Sequence, residues 1–257
     1  MEDLKKCPYC GKAYKINDYD VSFLSDEIKN RVRFIPDCTC AAERAEAERA
    51  AEIAQKRRAD RLAAVMKYER MSIENLRFDG ASVYQTSEKE QELHREIAEY
   101  AENFDDYLVS GTGFIFMGFS GSGKTYCANI IAERLRKDLH TVLILTMGEY
   151  LLRVRQLING SPGSEQELLD HMLRCELLIL DDLGSEVFTD WAKGKLFEII
   201  DGRYRAKMPT IITTNLTLKM LAEKTRIDGS DKIFDRLKET CRVRIFGWPS
   251  HRKACGS

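Results

Sequence analysis

Two short runs of residues carry most of the chemistry open to this chain. The first reads Gly118-Phe119-Ser120-Gly121-Ser122-Gly123-Lys124-Thr125 and satisfies G-x-x-x-x-G-K-[ST] at every position. Its glycines let the backbone curl so that several amides point inward. A helix starting there adds its positive end, so a polyphosphate meets donors already arranged. Lys124 is placed to neutralise charge on the β- and γ-phosphates, and the Thr125 hydroxyl to ligate Mg²⁺. The expected ATP-contacting set is Gly118, Ser120, Gly121, Ser122, Gly123, Lys124, Thr125 and Tyr126. The second run, Leu177-Leu178-Ile179-Leu180-Asp181-Asp182, ends an apolar strand on two carboxylates. That is the edge at which open α/β sheets bind ligands. Asp181 is expected to hold Mg²⁺, and Asp182 to orient or deprotonate the water that attacks the γ-phosphate.

Thr213-Thr214-Asn215 also directly follows an apolar strand. The Asn215 amide reaches both γ-phosphate and water if its strand lies beside the one preceding the glycine loop. A helix-capping asparagine is the alternative, and spacing does not choose between them.

A different chemistry sits near the N-terminus. Cys7-Pro8-Tyr9-Cys10-Gly11 forms a tight turn that aims two thiolates at one metal, and Cys38-Thr39-Cys40 supplies two more. Together they suit a closed, structural, tetrahedral zinc site. A redox dithiol at Cys7 and Cys10 is the rival, disfavoured because no strand-helix context of the thioredoxin kind surrounds it. Cys127, Cys175 and Cys241 lie singly in apolar surroundings and read as reduced core residues.

The elements needed to position these groups follow from periodicity. From Gly113 onward, five apolar runs (FIFM, VLIL, LLIL, TIITT, RVRIF) alternate with helical segments. These are Lys124 to about Asp138, Tyr150 to Ile158, one opening at Ser164, Asp190 to Ala206, and two short ones. Strands joined by helices imply an α/β fold with a five-stranded parallel sheet between helices. Upstream, Leu93, Ile97, Tyr100, Phe104 and Leu108 keep helical spacing behind a capping box at Ser87 and Glu90. Residues 41–70, rich in Ala, Glu, Arg and Lys, read as a long solvated helix, a spacer between two modules with a partner-binding helix as the alternative. The expected organisation is a cysteine module over 1–40, a helical linker over 41–74 and a nucleotide-binding domain over 75–257.

Forty basic against 41 acidic side chains exclude a generally basic nucleic-acid coat. No apolar run approaches the roughly 20 residues of a membrane helix, and the N-terminus lacks a signal-peptide stretch, so a cytoplasmic location without a membrane partner is expected. Local basic clusters at Arg153 and Arg155, at Arg203, Arg205 and Lys207, and at Arg242 and Arg244 could track backbone phosphates, with Tyr150 or Tyr204 available for stacking.

The series formed by the Gly-Lys-Thr loop, LILDDLGSE, DGRYRAK, PTIITTNL, IFDRL and the ending GWPSHR resembles the DnaC-type helicase loaders and their IstB-type relatives among AAA+ ATPases. The resemblance spans about residues 75–253, and the N-terminal cysteine module looks like that of phage and Gram-positive members. It implies an AAA+ P-loop core whose helical lid is reduced or absent, since few residues follow Phe246. By resemblance, Asn215 matches sensor 1, Arg236 the arginine finger that usually acts on a neighbouring subunit's nucleotide, and Arg252 sensor 2. Pro249 and His251 depart from the family's ending. The implied activity is ATP-dependent loading of a DnaB-type replicative DNA helicase with single-stranded DNA contact, in an oligomer, the segment with Arg153 and Arg155 lining the DNA path. ATP, Mg²⁺ and Zn²⁺ are the implied cofactors. An IstB-type transposition helper that binds DNA and a transposase is the alternative.

Overall fold

The computed structural model of the chain describes residues 6–16, 22, 25, 28, 34–35, 38–66 and 87–250. Its contacts divide it into two units, Met1–Arg57 and Arg58–Ser257. The expected linker end at residues 74–75 lies outside the described residues.

In the first unit, β1 (Lys15–Ile16) pairs antiparallel with β2 (Phe34–Ile35). Helix α1 (Cys40–Met66) begins at the last cysteine of the C-x-C pair. Its Ala/Glu/Arg composition has high helix propensity but little to bury, and its side chains are mostly exposed. In the second unit only Leu62 and Val65 of this helix are buried among the apolar residues, and Val65 joins a core cluster.

The second unit is built on β3 (Gly113–Gly118), β4 (Val142–Thr146), β5 (Leu177–Asp181), β6 (Thr210–Thr214) and β7 (Cys241–Phe246). All pair in parallel, in the order β4-β5-β6-β3-β7. Alternate residues on a strand face opposite sides. Phe114 and Phe116 therefore join one core with α2 (Glu88–Glu102) and α4 (Lys124–Lys137), while Ile115 joins the other. That second core is roofed by α5 (Met147–Ile158), α6 (Glu165–Arg174), α7 (Asp190–Ala206), α8 (Leu218–Thr225) and α9 (Lys232–Thr240). Cys127 is buried in the first core, Cys175 and Cys241 in the second. Among the described residues no helix is long and apolar enough to cross a membrane.

Local signals fall where the sequence puts them. Ser87 Oγ accepts the Glu90 amide at 3.3 Å, and Ser164 caps α6 through the Glu167 amide at 3.0 Å. The helix expected to run continuously to Leu108 instead breaks at Asn103, and α3 (Phe104–Ser110) resumes beyond it. The Asn103 Nδ2 donates to the Glu99 carbonyl at 3.0 Å, the local bonding by which Asn competes with helix continuation. The apolar face survives the break, with Tyr100 and Phe104 both buried.

Two expectations about DNA contact are corrected by burial. Arg203 is 1% exposed. Its guanidinium donates to the carbonyls of Met172 (2.6 Å), Cys175 (2.9 Å) and Pro209 (2.6 Å) and to Thr210 Oγ1 (2.9 Å), so it ties the end of α6 to the start of β6 and meets no phosphate. Tyr150 is 0% exposed and cannot stack on a base.

At Gly113 an added Cβ would lie 1.9 Å from the Thr210 carbonyl oxygen. Gly113→Ala must therefore push β3 from β6. A loss of about 2–3 kcal/mol is expected, read in thermal unfolding as a Tm lower by roughly 5–10 °C.

Candidate functional site

The glycine loop joins β3 to α4 at the carboxyl edge of the sheet. Gly118 is needed at its entrance because a Cβ there would sit 2.4 Å from the Phe246 carbonyl oxygen of β7. At its exit, Gly123 (φ 97°) is the N-cap of α4 and offers no side-chain hydrogen bond. The first-turn amides are thus left without a capping side chain at the positive end of a helix, where an anion binds well. Lys124, the first helical residue, is buried to 6% exposure, and a buried ammonium must be hydrogen-bonded. It donates to the carbonyls of Gly118 and Phe119 and to Asn215 Oδ1, each at 2.8 Å.

Asp181 and Asp182 end β5. Asp181 is buried, and its Oδ1 accepts from Thr125 Oγ1 at 2.9 Å and from Thr213 Oγ1 at 2.6 Å. The chain then turns sharply, Asp182 taking φ 51°, a left-handed conformation that Asp tolerates better than most residues. Thr213 Oγ1 accepts the Asp182 amide at 2.8 Å and fixes that turn. The Asp182 carboxylate accepts Asn215 Nδ2 at 2.8 Å. A chain of polar contacts therefore runs from Lys124 through Asn215 to Asp182, with the Thr125–Asp181 pair beside it. The sheet order makes this possible, because β6 lies between β5 and β3 and carries Asn215 to the gap between the two motifs. Thr125 Oγ1 and Asp181 Oδ1 are hard oxygen donors of the kind Mg²⁺ takes, one carboxylate and one hydroxyl, and they fit that ion. Thr213 was not singled out for this role from the sequence. Its signal there is the period of two, which puts Thr213 and Asn215 on one side of the strand.

Beyond Asp182, Glu186 folds back to accept the Gly184 amide at 3.2 Å. Burial raises its carboxyl above the usual carboxylate range. The Lys224 ammonium of α8 donates to the Gly184 carbonyl, fastening this loop to the helices that follow β6.

Arg236 lies apart from this edge. Its Nε donates to Asp201 Oδ1 at 2.5 Å, and its guanidinium lies 5.1 Å from the Phe197 ring and 5.4 Å from that of Tyr204. These partners belong to α7; Nη1 adds the Lys232 carbonyl at 3.0 Å. Arg252 and His251 lie outside the described residues. Of the basic clusters, Arg205 pairs with Asp201, and Arg244 with Glu96. The Arg242 guanidinium stands 5.4 Å from the Tyr107 ring, and that of Arg155 is 5.4 Å from the Trp191 ring. Tyr204 donates its hydroxyl to Glu239 at 2.6 Å.

In the first unit, the sulfurs of Cys7, Cys10, Cys38 and Cys40 all lie within 4.8 Å of one another. The Cys7 amide donates to the Lys12 carbonyl at 2.8 Å and the Gly11 amide to the Cys7 carbonyl at 3.0 Å, closing the tight turn expected of C-P-x-C-G. The amides of Cys10 and then Tyr9 bring the Cys7 thiol down to about 7, favouring the thiolate that binds metal. A tetrahedron of sulfurs around zinc has edges of about 3.8 Å for bonds near 2.3 Å, so the cluster is compatible with zinc.

Residues 46–255, most of the chain, match the family of IstB-like ATP binding proteins. The replicative helicase loader DnaC of Escherichia coli strain K12 is 30% identical over 155 residues, 60% of each chain. DnaC of Buchnera aphidicola subsp. Baizongia pistaciae is 29% identical over 170 residues, 64% of this chain and 66% of that one. The chain thus spans about three fifths to two thirds of the length of these curated relatives. Among solved structures, the DnaC helicase loader superposes with a TM-score of 0.56 at 24% identity, covering 64% of this chain and 94% of that chain. DnaI gives 0.55 at 24%, covering 71% and 94%. These likenesses establish a shared fold. By the extent of its match, the chain belongs to the IstB-like ATP binding protein family.

Proposed function

We propose that this protein is an ATP-dependent loader of the replicative DNA helicase, a cytoplasmic AAA+ ATPase whose partner is a DnaB-type ring. The observation that carries the reading is the polar chain at the carboxyl edge of the sheet, in which Lys124, Asn215 and Asp182 are hydrogen-bonded in series beside Thr125 and Asp181. The curated relatives named above, themselves replicative helicase loaders, support it.

In this reading the amides of the loop, from Gly118 through Tyr126, and the Lys124 ammonium hold the β- and γ-phosphates of ATP. Thr125 and Asp181 hold Mg²⁺, which supplies neutralisation of phosphate charge. Asp182 orients the attacking water and takes its proton as the bond from the γ-phosphorus to the bridging oxygen breaks. Asn215, already bonded to Asp182 and Lys124, keeps base and phosphate ligand in register. Arg236 of α9, held against α7, is presented to a neighbouring subunit's nucleotide, so the working form is an oligomer, and Arg252 contributes to nucleotide binding from the C-terminal segment. Turnover is weak until helicase or DNA engages. Single-stranded DNA is contacted through Arg153 and Arg155 of α5. The cysteine cluster holds one structural Zn²⁺ in an N-terminal module over 1–40, joined by the 41–74 linker to the ATPase domain. A second reading is an IstB-type transposition helper ATPase, the family model matched being that of IstB-like ATP binding proteins; duplex-DNA and transposase binding would mark it.

Pull-down with the cognate replicative helicase is expected to recover an ATP-dependent complex, and its absence sinks the loader role while sparing the ATPase. Asp182→Ala should keep ATP binding and lose at least about a hundredfold in turnover. For the finger, Arg236→Ala should bind ATP normally and hydrolyse it at least about a hundredfold more slowly. Mixing it with Lys124→Ala protein should restore part of the rate, and a variant that no longer binds ATP contradicts a role in trans. Elemental analysis should find about one zinc per chain in the intact protein and little in Cys7→Ser, with the module losing structure alongside the metal.

A further inference from the structure

Trp248, in the segment that follows β7, touches the glycine loop directly. Its indole Nε1 donates to the Ser122 carbonyl at 2.8 Å. The ring is anchored from behind, 5.1 Å from Phe246, which lies 5.3 Å from Phe116 of β3. Phe246 is fully buried, so the indole stands on rigid core rather than on a free tail.

The Ser122 carbonyl and the Gly123 amide belong to one planar trans peptide and point in opposite directions. A donor that holds the carbonyl on the Trp248 side therefore turns the Gly123 N–H to the other side. Glycine tolerates both signs of φ, and no atom beyond the neighbouring backbone lies within 4 Å of where a Gly123 Cβ would be, so no side chain packs against Gly123 to hold this peptide in one orientation. An indole donates and cannot accept. Were the peptide reversed, two N–H groups would face each other and the hydrogen bond would be lost. Trp248 thus distinguishes the two orientations, and β7 controls both ends of the loop, pairing Phe246 with Gly118 at its entrance and reaching Ser122 near its exit.

We propose that Trp248 is a positioning residue for the phosphate site: through the Ser122 carbonyl it sets the orientation of the Ser122–Gly123 peptide and so aims the Gly123 amide at the bound β-phosphate. This rests on the nucleotide-binding reading given above. The ligand class is a nucleoside di- or triphosphate, ADP and ATP alike.

Trp248→Phe keeps a ring on Phe246 and removes only the donor. It should weaken ATP and ADP binding by about tenfold each in equilibrium dialysis, raise KM for ATP and leave kcat at saturating ATP within about twofold, a split that a general loss of structure would not produce. Equal nucleotide affinity in folded Trp248→Phe and wild-type protein overturns the proposal alone; no binding by wild type overturns the nucleotide reading as well. The sequence holds two tryptophans, so in Trp191→Phe protein excited where tyrosine barely absorbs, Trp248 is the sole tryptophan emitter. Its fluorescence should shift on saturation with ATP and should not shift when Lys124→Ala is added. If Trp248→Phe fails to fold, this emission decides, and a silent Trp248 at saturating ATP rejects the assignment.

Discussion

A positive charge confined beneath the surface at the edge of a parallel sheet must be answered by acceptors, and Lys124 is answered from two directions. The carbonyls of Gly118 and Phe119 come from its own loop, and the Asn215 oxygen comes from a strand 91 positions later. The second contact couples the loop to Asp182 through the other end of the same amide. An uncompensated buried ammonium would cost several kcal/mol. The requirement to satisfy this one therefore links β3, β5 and β6 into a single polar edge, and the rest of the domain serves to keep those strand ends level.

The apolar layers on each side of the sheet do that levelling. Phe114 stacks on Phe116, which meets Phe246 at a tilt on the same face, while Leu178, Leu180 and Ile212 fill the other. Close-packed interiors transmit small displacements rather than absorbing them, so the carboxyl ends of the strands are held to the tolerances that hydrogen bonds of 2.6–2.9 Å demand. Arg203 makes the same point at the opposite edge. Its guanidinium spends its donors on carbonyls from α6 and the approach to β6, binding helix to strand where no apolar contact could.

The cysteine cluster is organised by different physics. Cys40 opens α1, and the tight turn at Cys7 turns the backbone amides of Cys10 and Tyr9 toward its sulfur. The amides of that turn favour the thiolate at Cys7, while hydrogen bonding among the sulfurs pushes Cys38 and Cys40 up, as when thiols share protons before a metal displaces them. A unit with so few aliphatic residues has little core of its own, so a metal on these sulfurs would supply the cross-link that a core cannot.

Much of this was legible beforehand because it is local. The glycine loop, the apolar runs that became β3 to β7, the caps at Ser87 and Ser164 and the two cysteine half-sites each depend on a few neighbouring residues, whose backbone preferences and periodicity survive in any context. The break at Asn103 was missed because one side chain bonding back to Glu99 outweighs a helical pattern that continues on both sides of it. The burial of Arg203 and Tyr150, the work of Thr213 on Asp181 and Asp182, the choice for Asn215 between capping a helix and bridging the site, and the reach of Trp248 to Ser122 all lay beyond reading. Each depends on the order of strands in the sheet and on which helix face meets it. Strand order is set by the total burial of two cores at once, a quantity that no window of sequence contains. Residue types and spacing thus determined which groups are capable of holding a nucleotide and a metal, and tertiary structure alone decided which of them meet.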